Sequence, residues 1–201
     1  MDVSERELRR ATAVYYGMVE TIDEQYGRVI RALEHAGQNL DDWIIIYTTD
    51  HGEMLGEHGI WEKQKFYEGS ARVPLIIRYP EGFGGGRTVE ENVNLCDLFA
   101  TLCELTGIET PEGLDSRSLV PLLKNAGGTD WDNETVSQFG GTNLMIKKNH
   151  LKYQYYGESM PEVLFDLDSD PGELRNVIDD LRYAGALEYF HRRRSELGFG
   201  G

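Results

Sequence analysis

Two cysteines are all that 201 residues carry, Cys96 and Cys103, placed seven apart and so on nearly one face of a helix. That is too few for a disulfide framework, and the pair reads as core packing rather than a redox or metal pair. Basic charge is scarce too. Twenty Lys and Arg stand against 35 Asp and Glu, a formal net charge of −15. A phosphate polymer or an anionic bilayer would be repelled over most of such a surface, which excludes nucleic-acid and membrane partners in general. An anionic small molecule would have to be gripped locally. No apolar run approaches the ~20 residues that span a bilayer. The opening residues Asp2, Glu5, Arg6, Glu7, Arg9 and Arg10 are charged where a secretory leader would be apolar, so the cytoplasm is favoured unless a leader lies upstream. What remains is a chain with 40% hydrophobic residues, enough for one sizeable core or one and a half domains.

Apolar periodicity organises that chain. Leu8, Ala11, Tyr15, Met18, Ile22, Tyr26, Val29 and Leu33 recur at intervals of three and four, predicting a long amphipathic helix with Ser4 and Glu7 as a capping box and Gly37 at its end. Residues 43–49 and 73–79 read as buried strands, and 89–93 as a short one. Helices are expected around Leu95–Leu105 and over 173–197. A polar, Gly-rich stretch at 125–133 reads as a linker, and short strands at 135–139, 143–147, 151–156 and 163–166 suggest an antiparallel meander. The expectation is an α/β domain over residues 1–128 with a mostly parallel sheet, followed by a small α+β subdomain over 129–201.

The chemistry concentrates where the first strand ends, at Thr48-Thr49-Asp50-His51-Gly52. In open α/β sheets ligands sit beyond the carboxyl ends of strands. Asp50 and His51 can each offer a lone pair to one cation there, and Lys63, thirteen positions after Asp50, can meet an anionic group. A carboxylate suits Ca²⁺, Mg²⁺ or Mn²⁺, whereas an imidazole shifts preference toward transition metals. That set suits sulfate or phosphate esters. The zinc-protease pattern His-Glu-x-x-His, the Gly-x-Ser-x-Gly elbow and the Gly-x4-Gly-Lys-Ser/Thr phosphate loop are all missing.

The run from Thr49 to Leu75, which contains Asp50-His51-Gly52-Glu53-Met54-Leu55-Gly56-Glu57-His58-Gly59 and Lys63, resembles the C-terminal signature of the sulfatase family, within the alkaline-phosphatase-like superfamily and close in style to its bacterial choline-sulfatase-like members. Three further blocks follow the same order of resemblance: the helix at Tyr15–Leu33, the stretch from Asp97 to Leu123 with Gly113-Leu-Asp-Ser-Arg-Ser-Leu119, and Leu164-Phe-Asp-Leu-Asp-Ser-Asp-Pro-Gly-Glu-Leu-Arg-Asn176. The resemblance implies that Asp50 and His51 ligate one divalent cation, Ca²⁺ foremost and Mg²⁺ or Mn²⁺ as alternatives. It also implies that Lys63 holds a sulfate oxygen and takes part in catalysis; His58 is a candidate substrate contact by its position in the same loop, where the family varies. Tyr67, Glu68 and Arg72 belong to the motif, with Glu68 and Arg72 expected as a buried pair that fixes the loop.

The family's nucleophile comes from a Cys/Ser-x-Pro-x-Arg motif whose Cys or Ser is oxidised to formylglycine. Neither Cys96-Asp-Leu-Phe-Ala nor Cys103-Glu-Leu-Thr-Gly fits it, and Ser169-Asp-Pro-Gly-Glu lacks the arginine. The chain therefore resembles the C-terminal part of a sulfuric ester hydrolase, with formylglycine expected only upstream. A small sulfate ester is the implied substrate, and a second copy of the chain is expected to cover an exposed sheet edge. The alternatives are a phosphonate monoester or phosphodiester hydrolase of the same superfamily, and a non-catalytic metal- or anion-binding remnant.

Overall fold

The computed structural model describes residues 3–124 and 130–199, so part of the expected linker at 125–133 lies outside the described residues. The structure resolves into two compact units, Met1–Gly85 and Gly86–Gly201.

The first unit opens with helix α1, Glu5–His35. Ser4 and Glu7 form the expected capping box, in which the Ser4 N–H donates to Glu7 Oε2 at 2.9 Å. Gly37, at φ +75°, ends the helix: its N–H donates to the Glu34 carbonyl and that of Gln38 to the Leu33 carbonyl, satisfying two orphaned acceptors. Strand β1 is Ile45–Thr48 and β2 is Leu75–Arg78, with a single helical turn, α2, at Glu68–Ala71 between them. The two strands pair antiparallel, Ile46 opposite Ile77. The α/β character stands, yet the expected parallel order is not met by these two strands. A parallel link requires a crossover of a dozen or more residues, usually a helix laid on the sheet, and the one turn of α2 does not supply it. β1 is half-buried along its length rather than fully buried, and Trp43 is exposed. The Tyr26 ring of α1 meets Tyr47 edge-on, with ring centroids 5.0 Å apart.

The second unit holds helix α3 (Asp97–Thr106), the turn α4 (Val120–Leu123), strands β3 (Glu134–Phe139), β4 (Asn143–Lys148), β5 (Leu151–Tyr156) and β6 (Val163–Asp166), and helix α5 (Ala184–Glu196). The strands form the expected meander, in the order β3-β4-β5-β6 and antiparallel throughout. Alternation along β5 gives the sheet two different faces. Tyr153 and Tyr155 join Leu144, Ile146, Leu164, Val177 and Phe190 of α5 in the core, while Lys152 points the other way and pairs with Glu173 at 2.8 Å, both fully or nearly fully buried. Residues 89–93 form no strand. Asn92 instead spends its amide on the Asn133 and Asn149 carbonyls, and Asn94 donates to the Val136 carbonyl at 2.7 Å. Arg117 donates to the carbonyls of Asp132 and Glu134 and lies over the Trp131 ring. These bonds tie residues 86–124 to the meander, so the compact units divide at residue 85 rather than at the expected 128. The expected helix over 173–197 shortens to α5, because Asn176 and Asp180 turn their side chains onto the N–H groups of Ile178 and Arg182. Cys103 is buried as expected; Cys96 is exposed, and both are free.

A buried ion pair loses most when one partner goes, since the survivor is left charged and unpaired. Lys152→Met is accordingly expected to cost about 3–5 kcal/mol in urea unfolding; a loss below about 1 kcal/mol would show that the pair does not hold the sheet to the 173 turn. A second outcome concerns acid. Burial alone would raise the Glu162 pKa, but hydrogen bonds from His191 Nε2 and Arg194, with their charge, outweigh it and hold the group below 4.5. A carboxylate depressed in the folded state stabilises fully above its unfolded value and loses that contribution as pH falls through the folded one. Thermal unfolding across the acid range should therefore show Glu162→Gln less stable than the parent at neutral pH, with the gap closing below the ordinary carboxylate value. A gap independent of pH would exclude this linkage.

Candidate metal and anion site

Gly52 decides how the strand end is built. Its N–H donates to the Ser70 carbonyl at 2.8 Å, and a Cβ there would stand 2.1 Å from the Gly69 carbonyl oxygen. No side chain fits that approach. Gly69 is confined in turn, its own Cβ position lying 3.3 Å from the sulfur of Met54, which is fully buried. Phe66 and Ser70 are buried as well. Residues 53–69 thus leave β1 and return to it as a loop closed at its neck.

At the near side of that neck stand Asp50 and His51. The Asp50 side chain is 84% exposed and the His51 side chain 39%, so both are open to solvent. Asp50 Oδ1 accepts from the His51 N–H at 3.0 Å and from the Thr49 hydroxyl at 3.2 Å. Burial weighs toward a higher Asp50 pKa, but the N–H groups of Asp50 and His51, the His51 charge and the Thr49 hydroxyl together lower it, and the group is held as a carboxylate. His51 Nδ1 lies 2.8 Å from the Gly52 carbonyl. A carbonyl only accepts, so Nδ1 carries a proton, and in the neutral ring the lone pair is on Nε2. Nε2 is 3.5 Å from Asp50 Oδ2. Two donors so spaced can share an ion bound ~2.0–2.6 Å from each, and the Gly52 carbonyl fixes the ring as an outer partner does in metal sites. The donor set therefore fits a divalent cation.

Lys63 is exposed on the loop, within 60–66, and forms no ion pair among the described residues. His58, also exposed, lies in a short 3-10 turn at φ +54° with its ring stacked on Tyr67, centroids 4.0 Å apart and planes 13° from parallel. One face of that imidazole is therefore covered. Arg72 is exposed rather than buried, because the chain leaves α2 at that residue with extended backbone. Sequence reasoning passed over Glu53, whose Oε1 is buried without a hydrogen-bond partner among the described residues. It also passed over a group in the second unit, His150, Asp166 and Asp168, whose ligand atoms lie within 4.8 Å of one another. There Nε2 faces Asp166 and Nδ1 faces Asp168, so one ring nitrogen does not serve both carboxylates. Asp166 already accepts from Tyr183 and from the Asp168 N–H.

Comparison with known proteins places this geometry in a family. The sulfatase profile matches residues 2–108, and that of the C-terminal region of N-sulphoglucosamine sulphohydrolase matches residues 56–198. Arylsulfatase K of Xenopus laevis is 35% identical over 188 residues, covering 87% of this chain and 35% of that protein. The choline-sulfatase of Rhizobium meliloti is 36% identical over 189 residues, covering 90% of this chain and 36% of its own. Among solved structures, the phosphonate monoester hydrolase of Agrobacterium radiobacter superposes with a TM-score of 0.84 at 32% identity, over 98% of this chain and 42% of that one. The shared architecture is the alkaline-phosphatase-like α/β fold. The chain belongs to the sulfatase family, as a C-terminal part, and spans little more than a third of the length of the relatives it matches.

Gly52→Ala is expected to cost about 1–3 kcal/mol in urea unfolding, because the intruding methyl group meets the main chain of Gly69 and Ser70. Gly185→Ala in α5, where the Cβ position is open, is the control and should be neutral or stabilising. Equal behaviour of the two would mean that the neck of the loop is not close-packed.

Proposed function

We propose that the chain is the metal- and sulfate-gripping portion of a sulfuric ester hydrolase. The observation that supports this most is the single lone pair left on His51 Nε2, aimed to the same side as an Asp50 carboxylate 3.5 Å away. In that reading Asp50 Oδ2 and His51 Nε2 would hold a divalent cation, Ca²⁺ foremost, which when bound supplies Lewis acidity toward a sulfate oxygen. Lys63 contributes its ammonium to the anionic oxygens of the ester and offsets the charge that they carry. His58, with one ring face against Tyr67, presents its outer edge toward a bound substrate. A small sulfate ester is the substrate class. Its exclusion of anionic polymers follows from the net charge of −15.

A second reading has its own support in the phosphonate monoester hydrolase neighbour: the same cation and lysine would serve a phosphonate or phosphate diester. In either case the chain alone is expected to be inert. Nowhere in its 201 residues is there a Cys/Ser-x-Pro-x-Arg motif, and two protein ligands leave most of a Ca²⁺ shell of six to eight oxygens to water. Calorimetry should find weak divalent-cation binding that disappears in Asp50→Ala and in His51→Ala and survives in Lys63→Ala. An aryl sulfate should not be turned over above background. Cation binding unchanged in both ligand variants would remove the metal assignment. Robust turnover by the purified chain, lost in Asp50→Ala and Lys63→Ala, would show that it is a complete catalyst.

A further inference from the structure

In the second unit the β4–β5 turn meets the segment that follows β6. The Leu167 N–H donates to the His150 carbonyl at 2.9 Å, and Leu151 stands opposite Asp166 in the sheet, so main chain holds turn and segment together. His150 is set between two carboxylates, with Nε2 3.9 Å from Asp166 Oδ1 and Nδ1 3.6 Å from Asp168 Oδ2. The two acids are held differently. Asp166 is fixed: its Oδ2 accepts from the Tyr183 hydroxyl at 2.7 Å and its Oδ1 from the Asp168 N–H at 3.1 Å. The Asp168 side chain is 79% exposed and accepts no hydrogen bond among the described residues. The guanidinium whose charge reaches Asp166, that of Arg182, is engaged by Asp180 at 2.6 Å. A neutral imidazole so placed has one N–H and one lone pair, and the carboxylate that faces the lone pair is opposed by it. A cation seated between the two turns that opposition into a pair of bonds.

We propose that His150 Nδ1 and Asp168 Oδ2 form a site for a transition-metal ion of the Zn²⁺ class, with Asp166 as the outer carboxylate that receives the Nε2 proton's side of the ring and turns the Nδ1 lone pair toward the ion. Two donors 3.6 Å apart suit bonds of ~2.0–2.2 Å meeting at a tetrahedral angle. Metal-ligating imidazoles give their other N–H to a carboxylate as a rule, and the imidazole nitrogen moves the preference toward transition metals. Asp168 is free to rotate onto the ion, whereas Asp166 stays where Tyr183 holds it. The remaining positions of the shell fall to water. The bound ion clasps the β4–β5 turn to the chain that leaves β6. It shares no residue with the Asp50–His51 pair of the first unit.

The test is Zn²⁺ titration of the full chain carrying Asp50→Ala and His51→Ala, so that this site is read apart from that pair. Calorimetry at neutral pH is expected to find one Zn²⁺ per chain, not displaced by an excess of Mg²⁺. Nitrogen-15 spectra of the imidazoles should show His150 metallated at Nδ1 and protonated at Nε2. His150→Asn and Asp168→Asn, both at exposed turn positions, should each abolish the titration with circular dichroism unchanged. Asp166→Asn should weaken it roughly 10- to 100-fold and let the His150 proton exchange between the two ring nitrogens in the metal-free chain. Failure to bind Zn²⁺, uptake that survives His150→Asn, or metallation at Nε2 overturns the site. Displacement by Mg²⁺ overturns the class of ion, and an unchanged affinity in Asp166→Asn overturns the positioning role.

Discussion

Gly52 lies against the main chain of Gly69 and Ser70 at a distance that admits hydrogen and nothing larger, and the ordering of the candidate site depends on that approach. It brings the outgoing limb of the loop onto α2 on its return, so that a stretch whose middle is polar and exposed still has a fixed base. Met54, whose sulfur lies against Gly69, and Phe66 are both buried. Buried apolar anchors at both limbs shorten the free part of the loop to about the segment bearing His58 and Lys63, and less freedom there means less entropy lost when an anion is held. The same backbone economy orients His51: the carbonyl that engages Nδ1 belongs to Gly52 itself.

Much of this was legible in residues. The capping box at Ser4 and Glu7, the turn at Gly37 and the four strands of the meander follow from local chemistry, and the structure has them within a residue or so of expectation. What failed depended on context. The isoleucine-rich run at 43–49 reads as a strand buried on two faces, but apolar character alone says what a strand would bury if partners were present. Among the described residues β1 has one strand neighbour, and it stays half-buried. The helix expected from 173 failed for a different reason: Asn176 and Asp180 satisfy backbone donors with their own side chains, a competition that periodicity does not register. For the site, the pairing of Asp50 with His51 follows from adjacency, whereas the importance of Gly52 could be read only from what stands opposite it.

The second unit recasts the family motifs as architecture. In the Gly113 to Leu119 block, Ser116 donates to the Cys96 carbonyl and the Arg117 N–H donates to Asp97, which is almost wholly buried. In the block from Leu164 to Asn176, Asp166 receives the Tyr183 hydroxyl, Glu173 receives Lys152, and Asn176 receives the N–H of Leu164. Each of these polar groups is spent on holding a turn. Their identity is fixed because a buried donor or acceptor left unpaired costs more than the bond itself contributes. A motif of charged residues is thus explained here without any ligand.

The meander pairs every strand with its neighbour in sequence, across connections at 140–142, 149–150 and 157–162. Short closures of this kind lose little chain entropy, and sheets made of them nucleate locally. During synthesis, then, the last third of the chain has no need to wait for distant segments before its strands align. β1 and β2, by contrast, pair across residues 49–74, a longer closure that also brings the site loop to its neck. The candidate site and that two-stranded sheet therefore share one closure, and a ligand that binds the closed neck stabilises both.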